Sequence, residues 1–179
     1  MNHAETLAKK WGDFVSAPWP RDDAPEQRVI FAVYPPAEEL RIRANLVAFE
    51  TATTASGHAW YVIELDSIFA QWLSSEKYRD KIFAKPELLA SVQHRFPRFL
   101  ANEAERLAAP AASDPNAVTA ILGAGSLFGL ASVKEFVDLV APRVSGRLLV
   151  FFPGSCEDNN YRLLDGYDGW GYRATIISA

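Results

Sequence analysis

A glycine-rich stretch is the part of the sequence that most suggests ligand chemistry. Residues 123–129 read Gly-Ala-Gly-Ser-Leu-Phe-Gly, directly after an apolar run. A turn that joins a strand to a helix in an α/β protein can present its backbone N–H groups to a phosphate. Gly123, Gly125 and Ser126 therefore form a candidate anion or nucleotide site.

Two features of the sequence favour a structural turn at this stretch. It has no Lys-Ser or Lys-Thr pair that would reach the phosphates of a nucleotide. The next apolar run ends in Pro153-Gly154, where a dinucleotide-binding protein would offer an acidic residue to the ribose. Glycine also permits tight turns and close packing without any ligand. We therefore predict no bound cofactor, and a nucleotide- or phosphate-binding enzyme that uses the 123–129 turn stays open as the alternative.

Polar residues of the C-terminal quarter form a second candidate site, which would bind a partner or a ligand. These residues are Asp158, Asn159, Asn160, Arg162, Asp165 and Asp168. Paired carboxylates can transfer protons or hold a hard cation. Their spacing matches no calcium-binding loop, however, and Asp and Asn are common in solvated turns, so we predict no metal. Trp170 follows the Gly-Tyr-Asp-Gly tip and is the predicted anchor for a protein partner.

The residues that could act as nucleophiles or bases are scattered along the sequence. His3, His58 and His94 lie far apart, and Cys156 is a lone cysteine with acidic neighbours, which do not lower the pKa of a thiol. Ser126 lacks the flanking glycines of a nucleophile elbow, and we predict that it caps the following helix. The sequence therefore predicts no catalytic residue.

Composition sets the class of protein. The chain has 179 residues, of which 49% are hydrophobic and 22% charged, which predicts one globular domain over residues 1–179. The net charge of −4, with acidic and basic residues interleaved, argues against direct contact with nucleic acid. No apolar run approaches the ~20 residues of a membrane span, and the first residues lack the apolar core of a signal peptide. We therefore expect a cytoplasmic protein with no membrane association.

Four apolar runs, at 28–34, 58–65, 117–122 and 147–152, predict strands of a mainly parallel sheet. Amphipathic stretches between them predict right-handed crossovers. The helical stretch at about 74–109 is an insertion that should cover one face of the sheet or form a cap.

Three details of the predicted helices can be checked against the structure. The helix after the first strand runs to about Thr54 and should bury Leu40, Ala44, Val47 and Ala48. Asp66-Ser67 should cap the helix that follows the second strand. Pro97 should break or kink a helix, because proline removes a hydrogen bond and clashes with the preceding turn.

The C-terminal quarter completes the predicted fold. The strand at 147–152 should end at Pro153-Gly154, and a polar loop should cover 155–160. Alternating segments at 161–165 and 170–177 then predict an antiparallel hairpin at the edge of the sheet. The fold class is α/β, a three-layer sandwich.

Several motifs, taken together, resemble one known family. They are Arg147-Leu-Leu-Val-Phe-Phe-Pro-Gly154, Glu157-Asp-Asn-Asn-Tyr-Arg-Leu-Leu-Asp165, Asp168-Gly-Trp170 with Tyr172, Tyr34-Pro-Pro36 with the charged helix through Arg41 and Arg43, Glu64-Leu-Asp-Ser67, and Gly123-Ala-Gly-Ser-Leu-Phe128. In their order along the chain they resemble the BrxB family of bacteriophage-exclusion (BREX) defence systems. The resemblance covers nearly the whole chain. It departs at Gly129-Leu-Ala-Ser132, where the family has a Pro-Phe-Leu-Arg type of continuation, and this weakens any anion site carried over from the family.

The resemblance implies a single BrxB-like α/β domain that acts as a non-enzymatic assembly or adaptor subunit. The partner it implies first is a PglZ-like protein, beside a large ATPase and a DNA methyltransferase. The expected contact surface is the glycine-rich loop, the 155–160 loop and the hairpin around Trp170. Loss of Trp170 or Asp168 is expected to weaken partner capture and to leave the fold intact.

Overall fold

The computed structural model describes residues 1–20, 22–166 and 169–179. The helices are α1 (His3–Val15), α2 (Glu39–Ala44), α3 (Leu46–Ala55), α4 (Ile68–Ser75), α5 (Arg79–Ala84), α6 (Leu89–Val92), α7 (Phe96–Ala108) and α8 (Val133–Val140). The strands are β1 (Val29–Tyr34), β2 (Ala59–Glu64), β3 (Ala117–Leu122), β4 (Arg147–Glu157), β5 (Asn160–Leu163), β6 (Trp170–Gly171) and β7 (Thr175–Ser178).

Five of these strands form a parallel sheet in the order β2-β3-β4-β1-β7. The central strands β1 and β3 are buried along their whole length, and so is β4 as far as Pro153. This burial explains their unbroken apolar sequences, since both faces of a parallel sheet are covered. The four predicted strands are confirmed.

Helices cover both faces of the sheet and make three layers. On one face α1, α2 and α3 bury Leu7, Trp11, Ile42 and Phe49 against alternate residues of the central strands. On the other face α4, α7 and α8 form a second hydrophobic core. In this strand order the chain moves in one direction along the sheet from β1 to β2, and in the other direction from β2 to β3 and from β3 to β4. Because all three connections are right-handed, the helices of the first crossover lie on one face of the sheet and those of the other two lie on the opposite face. The predicted three-layer α/β sandwich is confirmed.

The C-terminal strands pair differently from the prediction. β4 continues past Pro153 to Glu157, turns at Asp158 and Asn159, and pairs antiparallel with β5. Both turn residues have positive φ, 49° and 61°, as a two-residue hairpin turn requires, and Asp and Asn tolerate this conformation. The predicted loop at 155–160 is therefore wrong.

The antiparallel strand at the tip is short. Within the described part of the segment 170–177, the two residues of β6 are the part that pairs with β5, through Tyr161 opposite Trp170 and Asn160 opposite Gly171. β7 leaves this hairpin and lies parallel to β1 at the edge of the main sheet. The prediction that the whole segment 170–177 is one hairpin arm is therefore wrong.

The helix after β1 buries a different face from the predicted one. It is divided at Asn45 into α2 and α3, and its buried apolar side chains are Ile42 and Phe49. Leu40 and Val47 are 80% and 70% exposed, and Ala44 and Ala48 are exposed as well. Ile42 and Phe49 are seven residues apart and share one helix face, so burying this pair turns the predicted face to solvent.

The helix that begins near Pro86 is interrupted before Pro97, as predicted: α6 ends at Val92, and Pro97 lies in the first turn of α7, where proline is tolerated. Two helix caps differ from their predictions. Ser132, and not Ser126, caps α8 by accepting a hydrogen bond from the backbone N–H of Glu135. Ser67 makes no side-chain cap for α4, and the carboxylate of Asp66 contacts another helix, as described below.

Candidate functional site

The carboxyl ends of four neighbouring parallel strands meet at one edge of the sheet. Tyr34 ends β1, Asp66 follows β2, Gly123 follows β3, and Pro153 lies in β4 opposite Tyr34. Ligand sites of α/β proteins lie at this edge. The edge therefore carries the candidate functional site.

A compact charge cluster occupies the middle of this edge. Arg43 donates to both carboxylate oxygens of Asp66, with Nη1–Oδ2 at 2.6 Å and Nη2–Oδ1 at 2.9 Å. Its Nε donates to Glu39 Oε1 at 2.6 Å, and the hydroxyl of Tyr34 donates to Glu39 Oε2 at 2.5 Å. The hydrogen bonds to Asp66 raise the pKa of Arg43. The pKa of Tyr34 is also raised, mainly by burial and to a smaller extent by its hydrogen bond to Glu39. The cluster therefore holds one guanidinium between the carboxylates of Glu39 and Asp66.

The glycine-rich turn faces one of these carboxylates. Gly123 has φ +79°, and a Cβ atom placed on it would lie 2.6 Å from Asp66 Oδ1. Ser126 Oγ lies 3.4 Å from the same oxygen. Residues Ala124–Leu127 form a short 3-10 turn, and Gly125 packs towards Pro153 and Leu164. A carboxylate beside the turn repels a phosphate, so this arrangement disfavours the anion site suggested by the glycines.

The cleft between the turn and the charge cluster is small. Its volume is about 240 Å³, and Glu39, Arg43, Asp66 and Gly123 are among the residues that line it. Drug-sized ligands and cofactors occupy pockets of roughly 300–1,000 Å³. The cleft is therefore too small for a whole nucleotide without rearrangement.

A larger groove lies next to the glycine-rich turn, on the side of the hairpin. It has a volume of about 620 Å³. We call it the apolar groove, and its lining residues include Phe128, Leu130, Val133, Leu163, Gly166 and Trp170. Phe128 is 45% exposed and lies at its opening, and Asp165 is the acidic residue of its lining. Such a surface suits an apolar side chain from another protein.

Trp170 joins the apolar groove to the hydrophobic core. It is half-buried, and its ring stacks on Tyr161 with centroids 4.9 Å apart and an interplanar angle of 17°. The edges of Phe152 and Phe31 approach it at 5.7 and 5.9 Å between centroids. Trp170 therefore holds the hairpin against the sheet, in addition to lining the groove.

The structure separates the residues that the sequence singled out. Gly123, Gly125 and Ser126 line the small cleft, whereas Asp165 and Trp170 line the apolar groove. Asp158, Asn159 and Asn160 line a third depression, together with Tyr172 and Arg173. Arg162 is exposed on β5, and Asp168 lies outside the described residues.

Sequence analysis assigned no role in a site to Arg43 or Glu39 and included Phe128 only as a member of the glycine-rich loop, yet the structure places all three at this edge. The four-residue spacing of Glu39 and Arg43 is a recognisable helical ion pair, but Asp66 joins it from a distant part of the sequence. Phe128 could be found only from its exposure, because its apolar type predicts burial.

Neither a metal centre nor an activated thiol is seen in the described part of the chain. Within residues 1–20, 22–166 and 169–179, no three His, Cys, Asp or Glu side chains form a group that could hold a metal ion. Cys156 is half-buried, and burial raises the pKa of its thiol. Among the helices of the same residues, none is both long and apolar enough to cross a membrane.

Comparison of the chain with protein-family models, with curated proteins and with solved structures gave no match.

Proposed function

We propose that the protein is a non-enzymatic assembly subunit of a BREX-type antiviral defence complex in the cytoplasm. Its direct partner is a PglZ-like protein, and the ATPase and the methyltransferase of the system belong to the same assembly. The family part of this proposal rests on the motif resemblance described above. The apolar groove is the structural observation that carries the binding part.

The apolar groove has the features of a protein-binding surface. An exposed Phe128 stands at its opening, and the half-buried Trp170 forms part of its wall. Aromatic residues that are partly covered in the free protein and fully covered in a complex contribute most to the affinity of protein interfaces. The volume of about 620 Å³ accommodates one or two large side chains of a partner.

The position of the groove also supports a role in assembly. Its walls come from the segment after β3 and from the β5–β6 hairpin, and the stack of Trp170 on Tyr161 fixes the hairpin. A partner that enters the groove therefore meets a preformed surface, and less conformational entropy is lost on binding.

The alternative function, a nucleotide- or phosphate-binding enzyme that uses the 123–129 turn, has weaker support. The carboxylate of Asp66 lies against Gly123, and the adjacent cleft has a volume of only about 240 Å³. A phosphate at the turn would have to displace Asp66 from Arg43, which holds it with two short hydrogen bonds. We therefore prefer the assembly function.

An affinity pull-down from cells that carry the native gene neighbourhood tests this proposal. The tagged protein is expressed at its natural level, and the proteins that bind to it are identified and quantified by mass spectrometry. We expect near-stoichiometric recovery of a PglZ-like protein. Recovery of the tagged protein alone, with the PglZ-like protein present in the lysate, contradicts the assembly function.

A further inference from the structure

A second large cavity lies at the opposite edge of the sheet, where the parallel strands begin. The connector after α1 and the segments before β2, β3 and β4 enclose about 710 Å³. Its polar and aromatic wall is formed by Trp19, Arg28, His58, Asn116, Ser145 and Arg147. None of these residues belongs to the apolar groove or to the Arg43 cluster. From Arg147 to Pro153, β4 spans about 20 Å at the ~3.3 Å rise per residue of a parallel strand, so the two edges are separate sites.

Two arginines bring positive charge into the wall of this cavity. Arg147 is the first residue of β4 and is only 5% exposed, and its Nη1 donates to Asp23 Oδ2 at 2.9 Å. Arg28 Nη1 donates to the carbonyl oxygens of Val144 and Gly146 at 2.9 and 3.0 Å. Burial, and then the nearby charge of Arg147, lower the pKa of Arg28. The two guanidinium groups are therefore close enough to repel each other.

The carboxylates near this pair do not line the cavity. Asp23 bonds to Arg147 from the connector, and Glu26 acts on Arg28 more weakly. Within the described residues, the lining contains two guanidinium groups and one imidazole, and no acidic side chain. An arginine has five N–H donors, and the bonds described here use only one nitrogen of each guanidinium. Asp23 and Glu26 offset part of the positive charge of the pair, so the cavity is distinguished by guanidinium N–H donors that these bonds do not use.

An aromatic stack forms the rest of the wall. The rings of Trp19 and His58 are parallel and stacked, with centroids 3.7 Å apart, and the guanidinium of Arg147 lies 5.2 Å from the centre of the Trp19 ring. His58 Nδ1 lies 3.0 Å from the carbonyl oxygen of Asn116, which fixes the N–H on Nδ1. The buried Trp19 Nε1 and Arg28 Nε have no acceptor among the residues that the structure describes. Such unpaired buried donors are costly in a folded protein.

We propose that this cavity binds a small molecule that carries a phosphate group, with the phosphate held by Arg28 and Arg147. Two adjacent guanidinium groups match a phosphate, which accepts several charge-assisted hydrogen bonds at once. The volume of about 710 Å³ leaves room for an organic part beside the His58 ring. This site is independent of the assembly function, because it shares no residue with the apolar groove.

Titration of the ¹⁵N-labelled protein by NMR tests the proposal. The probes are inorganic phosphate, AMP and, as the uncharged comparison, adenosine, at constant ionic strength maintained with sodium chloride. We expect saturable shifts of the Trp19 indole N–H and of the Gly146 amide with phosphate and with AMP, and no saturable shift with adenosine. The indole signal is assigned from its loss in Trp19→Phe.

Matched variants show whether the arginines hold the phosphate. Arg28→Gln should weaken phosphate binding at least tenfold, whereas Arg98→Gln, which removes an exposed arginine of α7, should leave it unchanged. Arg28→Lys keeps the positive charge but loses the planar guanidinium group, so this variant should bind phosphate several-fold more weakly than the natural protein. It replaces Arg28→Gln in the comparison if Arg28→Gln does not fold.

Three results would contradict the proposal of a phosphate site in this cavity. They are no saturable shift up to 50 mM phosphate, equal binding by Arg28→Gln and Arg98→Gln, and shifts confined to the amides of Gly123 and Ser126. The first outcome means that the cavity has no phosphate site, and the second means an adventitious ion only. The third places the phosphate at the glycine-rich turn.

Discussion

Arg43 and Asp66 form an ion pair with two short hydrogen bonds across the carboxyl edge of the sheet, at 2.6 and 2.9 Å. Arg43 comes from α2 and Asp66 follows β2, so the pair joins two segments that flank the glycine-rich turn. It also fixes a carboxylate against the Cα atom of Gly123. The glycine is therefore required for close approach to Asp66, and a phosphate is not needed to explain it.

The first prediction concerns this contact. Gly57→Ala, at φ +85° with open space around it, should cost about 1 kcal/mol from backbone strain alone. Gly123→Ala has similar strain and also places its Cβ atom 2.6 Å from Asp66 Oδ1. We expect it to cost about 3 kcal/mol, in line with strain plus overpacking. Urea unfolding of the two variants measures the difference.

A double-mutant cycle assigns the excess cost to Asp66. Part of it should disappear when Gly123→Ala is made together with Asp66→Ala, because the clashing carboxylate is removed. The backbone nitrogen of Asp66, at 3.0 Å from the added Cβ, accounts for the remainder. Equal costs for Gly57→Ala and Gly123→Ala would mean that Asp66 does not restrict the turn.

The second prediction concerns partner capture by the apolar groove. Phe128→Ser should reduce recovery of the PglZ-like protein at least tenfold, because it removes the exposed ring at the opening of the groove. Phe83→Ser is the matched control, since Phe83 is a 61% exposed phenylalanine on α5 that does not line the groove. The free energy of unfolding of both variants should lie within about 1 kcal/mol of that of the natural protein, as is usual for surface substitutions.

Quantitative mass spectrometry of the captured proteins compares the two phenylalanine variants directly. Unchanged capture by Phe128→Ser would remove the groove from the interface. Equal losses with Phe83→Ser would point to a general effect of lost surface hydrophobicity.

The third prediction concerns Trp170, which the sequence suggested as a removable surface anchor. Because its ring stacks on Tyr161 and contacts Phe152 and Phe31, Trp170→Ala should destabilise the protein by about 3 kcal/mol. Trp170→Phe keeps most of the stacking and should cost less than half as much. Guanidinium chloride unfolding gives both values, and an unchanged midpoint for Trp170→Ala would show that the stack does not stabilise the hairpin.

The fourth prediction concerns the reactivity of Cys156. Burial raises the pKa of its thiol, so at pH 8 a smaller fraction is thiolate than in an ordinary cysteine. Alkylation by iodoacetamide should therefore be slower than that of a free cysteine peptide, and its rate should still rise above pH 9. In 8 M urea the difference should vanish. A rate at pH 8 equal to that of the peptide would contradict the raised pKa.

The local sequence was sufficient to predict the strands of the main sheet, but it was insufficient to predict the C-terminal hairpin. The apolar runs of β1, β3 and β4 are unbroken because helices cover both faces of the sheet. Pro153-Gly154 looked like the end of a strand. Gly154 instead lets the backbone of Arg162 approach so closely that a Cβ atom would clash with its carbonyl oxygen, and β4 continues as a hairpin. The Asp158-Asn159 pair was the available signal for a two-residue turn.

Long-range packing decided which helix faces are buried. The segment after β1 has apolar residues on two faces, and periodicity alone favoured the face of Leu40 and Val47. Phe49 instead packs on Phe151 with ring centroids 4.9 Å apart, and Trp11 Nε1 donates to Thr53 Oγ1 at 2.9 Å. These contacts come from distant parts of the chain, so they leave no local signal.

The sequence by itself determined the α/β class, the strands of the main sheet and the glycine-rich turn after β3, because these depend on the local order of apolar residues, prolines and glycines. Only the tertiary structure placed Asp66 against Gly123, opened the groove beside Phe128, and brought Arg28 and Arg147 to one cavity. The strand order β2-β3-β4-β1-β7 is the physical reason. It sets which strand ends become neighbours at each edge, and no local pattern in the sequence encodes that order.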